Sequence, residues 1–103
     1  MIDLTGSPPN VKEVLLGSAN VFVGVNLPPQ RKNLVFSLYA TEESYYCYEG
    51  TDGGTRDDQP RVMIPKGQWI ELDQMVGEAL YFASANAPCR VHVAWAYPHA
   101  VGD

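Results

Sequence analysis

Apolar and polar residues alternate along most of this chain. Val21, Val23 and Val25 interleave with Phe22, Gly24 and Asn26. That is the period-2 pattern of a strand with one buried face. Gly24 within it marks a bulge or a close backbone approach. Leu34, Phe36, Leu38 and Ala40 interleave with Val35, Ser37 and Tyr39 in the cleanest strand of the chain. Val91, Val93, Trp95 and Tyr97 interleave with Arg90, His92, Ala94 and Ala96, and Pro98 ends this last, long strand. Ala79 to Ser84 is apolar on both faces, which predicts a central strand.

Weaker patterns fill the gaps. Val11 to Leu16 predicts a first strand. Ser44 to Glu49 is rich in aromatics, which favour the pleated surface, and reads as a hairpin with the strand before Glu42 and Glu43. Val62 and Ile64 predict a short strand, Pro65-Lys66-Gly67 a tight reversal and Gln68 to Asp73 the next strand. Gly17 to Asn20, Pro28 to Asn33 and Ala85 to Pro88 read as turns or loops. Leu72 to Val76 has room for one helical turn. Gly50 to Pro60 carries no apolar side chain except that of Pro60, and is expected to be a long loop.

Short strands separated by turn signals every roughly 8–12 residues predict an all-β fold. The expectation is a single antiparallel β-sandwich or jelly-roll-like barrel of about eight strands. Residues 1–10 are expected to form an extended N-terminal arm, because Gly6, Pro8 and Pro9 interrupt regular structure. Residues 11–103 are expected to form the sandwich domain. Ile2 and Leu4 alternate with Asp3 and Thr5, a pattern suited to adding a strand to a partner.

The length of 103 residues fits one domain. With 46% hydrophobic and 18% charged residues, the chain has a globular composition. A net charge of −5 offers no basic stripe for nucleic acid, and an anionic membrane repels it. No apolar run approaches the roughly 20 residues of a membrane span. The opening Met1 to Thr5 lacks the basic and apolar regions of a signal peptide. Cys47 and Cys89 form no Cys-x-x-Cys, and neither has a histidine at metal-ligand spacing. They read as two small buried hydrophobes in a reducing compartment, with a long-range disulfide as the alternative.

Catalytic chemistry is sparse, and the expectation is a protein that is not an enzyme and binds no cofactor. His92 sits mid-strand and His99 in the tail, too far apart to share a strand face. There is no Gly-x-Ser-x-Gly elbow, and Gly53-Gly54 lacks the Gly-Lys-Ser/Thr ending of a phosphate loop. Two histidines outside any His-x-His pair argue against a metal-binding cupin. Asp52, Arg56, Asp57 and Asp58 charge the long loop. Their spacing does not match a calcium-binding EF-hand, and a solvated loop that contacts a partner is the preferred reading. Tyr45, Tyr46 and Tyr48 lie so close together that at least one is expected to face away from the core. Surface tyrosines serve protein interfaces or, on a sandwich, stack on sugar rings.

The order of segments from Arg31 to Trp95 resembles small bacteriophage virion proteins of the capsid decoration, or cement, type. The resemblance rests on four stretches: Arg31 to Leu38, Val62 to Leu72 with its Pro65-Lys66-Gly67 turn, Gly77 to Ala85, and Val91 to Trp95. It implies a β-sandwich unit of the virion, assembled in the host cytoplasm and bound to the outside of the phage head. It also implies the major capsid protein as partner and a homotrimer as the assembled form. In such a protein the arm residues Ile2, Leu4, Pro8 and Pro9 would contact the shell, and the loop would be a second contact. The alternative is a phage tail, fibre or adsorption component with a carbohydrate-binding sandwich that uses Tyr45, Tyr46, Tyr48 or Trp69.

Overall fold

The computed structural model describes residues 2–6, 9–28, 34–48, 53–54, 61–72 and 79–96. These residues form nine strands: β1 (Ile2–Asp3), β2 (Asn10–Leu16), β3 (Val23–Asn26), β4 (Val35–Ala40), β5 (Ser44–Cys47), β6 (Val62–Ile64), β7 (Trp69–Leu72), β8 (Ala79–Ala83) and β9 (Cys89–Ala96). The all-β sandwich expected from the pattern is the observed architecture. One sheet has the order β1-β3-β8-β5-β6 and the other β2-β9-β4-β7.

The pairings are nested. β2 pairs with β9, β3 with β8, β4 with β7 and β5 with β6, all antiparallel. This is a long hairpin whose arms stay paired while it folds over itself. The pairings β4–β9 and β5–β8 then close each sheet. Such nesting is the jelly-roll order.

Alternation decides what is buried. In β9, Cys89, Val91, Val93 and Trp95 face the core, while Arg90, His92, Ala94 and Ala96 face outward. In β4, Phe36, Leu38 and Ala40 are buried and their neighbours are half-buried. Phe36 and Trp95 stack at 6.3 Å across the strand pair. Leu80 and Phe82 of β8 complete the centre from the opposite sheet. β8 lies between β3 and β5, as its two-sided apolar sequence requires.

The structure corrects the expected hairpin. β4 and β5 are not a hairpin, for they lie in different sheets. Just past β4, Thr41 donates its N–H to Arg90 O at 3.0 Å, and its hydroxyl oxygen accepts from Arg90 N–H at 2.9 Å. The chain then crosses the sandwich. Buried Ser44 donates its hydroxyl to Glu42 O at 2.9 Å, and buried Ser84 donates to Glu43 O at 2.7 Å. These bonds satisfy the carbonyls of the crossing. β6 and β7 also lie in different sheets, joined by the Pro65-Lys66-Gly67 turn. Gly67 adopts φ +72°, which a side chain would resist, and its N–H bonds Ala40 O at 2.9 Å.

The N-terminal segment lies along the body of the sandwich. Ile2–Asp3 runs parallel to β3, opposite Val25 and Asn26. Leu4 donates its N–H to Asn26 O at 2.9 Å and buries its side chain in the core, only 2% exposed. Gly6 turns the chain at φ +116°, and its carbonyl accepts from Trp95 Nε1 at 3.4 Å. The strand addition legible in Ile2 and Leu4 is therefore made to the chain's own sheet. Asn10, the last residue of the expected arm, already belongs to β2.

Leu4→Ala should lower the unfolding free energy by about 2–4 kcal/mol in urea titration, as for other buried leucines. Leu15→Ala, at an exposed position, should stay within about 0.5 kcal/mol. A Leu4 value as small as that of Leu15 would contradict the docked N-terminal segment.

Candidate functional site

The outer faces of the two sheets differ. The five-stranded sheet is covered by its own chain. Phe22, just before β3, lies over Tyr45, Cys47 and Ala83 to form a second, smaller buried cluster. Its ring meets Tyr45 edge-on at 5.9 Å. Phe22 is held in turn by Gly53 and Gly54: Phe22 donates to Gly54 O at 2.8 Å, and Gly53 donates to Phe22 O at 2.7 Å. Arg61 lies over the Tyr45 ring at 4.2 Å, and Tyr45 Oη donates to Asn20 Oδ1 at 3.1 Å. A cation placed on an aromatic face in this way is attracted by the ring quadrupole.

The outer face of the four-stranded sheet has no such cover among the described residues. Register places Glu13 beside His92, His92 beside Tyr39 and Tyr39 beside Trp69. One row of side chains thus crosses the whole sheet. Tyr39 packs against His92 at 5.7 Å and against Trp69 at 5.3 Å. His92 Nε2 lies 3.3 Å from Glu13 Oε2, and Arg90 Nε lies 3.4 Å from Glu13 Oε1. Pairs this exposed are worth little in stability. The next row is Val11, Ala94, Ser37 and Glu71, with small residues at its centre. The rings therefore stand as a ridge above a shelf.

Exposed apolar side chains are gathered at the sheet edges. Among the described residues the large exposed hydrophobics are Ile2, Val11, Leu15, Tyr48, Val62, Met63 and Trp69. All but Tyr48 lie on β1, β2, β6 or β7, the four edge strands. Both rims of the sandwich thus carry exposed apolar side chains. Each edge also carries charge nearby: Asp3 on β1, Lys12 on β2, Arg61 beside β6 and Glu71 on β7. Edge charges discourage unspecific strand pairing.

The residues singled out in the sequence fall in different places. Ile2 and Pro9 are exposed and Leu4 is in the core, while Pro8 lies outside the described residues. Asp52, Arg56, Asp57 and Asp58 also lie outside them. Tyr45 and Tyr46 are buried at 4% and 5% exposure, and of the three tyrosines only Tyr48 reaches the surface. Tyr45 escapes the main core, but Phe22 covers it. Cys47 and Cys89 are both buried and are not bonded to each other. Among the described residues no group of three His, Cys, Asp or Glu side chains could hold a metal ion. The Tyr39–His92–Trp69 row was not anticipated. All three occupy outward positions of their strands, and only the cross-strand register brings them together.

Burial, and then neighbouring Tyr48, push the Tyr46 phenol from its ordinary 10.0 up to about 12. Below pH 10 the phenol keeps its proton in both folded and unfolded chains. Between pH 10 and 12 the unfolded chain ionises first, so stability falls as pH rises through that window. Urea midpoints across this range should decline less steeply in Tyr46→Phe than in the wild type. Identical slopes would contradict the assignment.

No protein-family model, curated protein or solved structure matches this chain.

Proposed function

We propose that this chain is a structural virion protein, a capsid decoration protein that binds the outside of a phage head and stabilises it. The observation that carries the reading is the apolar character of both rims: Ile2, Val11 and Leu15 on one side, Val62, Met63 and Trp69 on the other. Isolated exposed apolar residues need no explanation, but their concentration on all four edge strands does. Two apolar rims on opposite sides of a small sandwich suit a protein with lateral neighbours on a lattice.

In this reading the partners are the major capsid protein and further copies of the chain, assembled as a homotrimer. A contact between unlike rims closes into a ring when the rotation between copies permits. Ile2 and Pro9 are the exposed members of the N-terminal contact, while Leu4 holds that segment in place from inside. The Gly50 to Pro60 loop supplies a second contact through its charged residues. Copies linked on a shell gain avidity from several weak contacts. Assembly takes place in the host cytoplasm.

Mass spectrometry of density-purified phage particles from the source culture should find the chain in stoichiometric amount, and immunogold should label heads. Absence from particles, or label confined to tails, would overturn the reading. Val62→Asp and Met63→Asp should leave the urea midpoint near wild type yet lower occupancy on particles.

A further inference from the structure

The face between the rims has a composition of its own. A protein interface usually has an apolar centre and a polar rim. This face has no continuous apolar centre: Ser37, Tyr39, Arg90, His92 and Ala94 stand on its two central strands, and Val11, Leu15 and Trp69 at its margins. Four strands about 4.8 Å apart present a surface on the order of 400 Å². A standard protein interface takes about 800 Å² from each partner. The face is therefore too small to serve alone as a stable protein contact.

Its chemistry matches a smaller, hydroxyl-rich ligand. Trp69 is 54% exposed on the edge strand β7 and is backed by Tyr39 at 5.3 Å, which limits its ring angles. Glu71, two residues on, has the same facing and is also exposed. Ser37 lies opposite Glu71, and Ala94 opposite Ser37. A pyranose has an apolar face of axial C–H bonds and a rim of hydroxyls. An indole supplies a flat apolar surface for the first, and a carboxylate and a hydroxyl supply hydrogen-bond partners for the second. The Ser37–Ala94 shelf leaves space for a next sugar to run across the sheet toward Val11. Charge sets the class. Glu13 and Glu71 outnumber Arg90 on this face, and Arg90 is already engaged by Glu13. Among the described outward residues of this face, carboxylates thus outnumber guanidinium groups, which disfavours a polyanion.

We infer that the outer face of the β2–β9–β4–β7 sheet is a binding site for a neutral glycan. Trp69 stacks on the sugar, Tyr39 positions the indole, and Glu71 and Ser37 receive the hydroxyls. This goes beyond the decoration reading and is tested apart from it, since attachment to heads is scored on particles and sugar binding on the free purified protein, in which Trp69, a rim residue of that reading, is 54% exposed.

The test is a panel of neutral oligomers of glucose, galactose, mannose and N-acetylglucosamine, screened on an array and titrated by calorimetry. At least one should bind saturably. Trp69→Ala should weaken that binding by roughly tenfold or more, and Glu71→Gln should weaken it measurably. Leu15→Ala, at the far margin of the same face, should leave it unchanged. Thermal melts should show all three variants folded, because each side chain is exposed. NMR shifts on titration should cluster at Ser37, Tyr39, Trp69, Glu71 and Ala94. Absence of saturable binding across the panel would overturn the inference. So would binding confined to acidic glycans, or binding that survives Trp69→Ala and maps elsewhere.

Discussion

The alternation of β9 organises both the inside and the outside of the molecule. Its inward residues Cys89, Val91, Val93 and Trp95 all join the main core. Its outward residues Arg90 and His92 contribute the middle of the exposed face. β9 also pairs on both sides, with β2 and with β4. A slip of one residue in either pairing would carry Trp95 out of the core and His92 into it. The same register that buries the indole therefore sets His92 beside Glu13 and Tyr39. Core and candidate site are two readings of one strand.

The two sheets use their outer faces differently, and the difference comes from short segments outside the ladders. Val21 and Phe22 continue the alternation of β3 but leave its pairing. Phe22 folds over Tyr45 and is fastened by two backbone bonds to Gly53 and Gly54. That fastening gives at least part of the long polar loop a structural task, and it turns a potentially sticky aromatic face into a closed one. On its counterpart, the four-stranded sheet, no segment among the described residues covers Tyr39, His92 and Trp69.

Much of the fold was legible because its strands obey a period of two. β4 and β9 are visible in the alternation of Leu34 to Ala40 and of Val91 to Tyr97, and the two-sided apolar run from Ala79 placed β8 centrally. Less legible was which sheet each strand joins. β4 and β5 are separated by only Thr41 to Glu43, the spacing of a hairpin, yet buried serines hold that link as a crossing between sheets. The N-terminal segment was legible as a strand, but its partner was not, since local pattern cannot distinguish the chain's own edge from another molecule's. The tyrosine cluster misled for a related reason. Tyr45 does point away from the main core, as alternation demands, and a residue distant in sequence then covers it. The ring row stayed hidden because Tyr39, Trp69 and His92 are far apart in sequence, and register alone aligns them.

The central functional claim is that the apolar rims are contact surfaces in an assembled particle. Hydroxyl-radical footprinting of the chain, free and on purified particles, reads those positions directly. Met63 and Leu15, at 47% and 54% exposure in the free chain, report on opposite rims. The account predicts strong oxidation of both in the free protein and marked protection of both on the particle. Equal oxidation in the two states would contradict it.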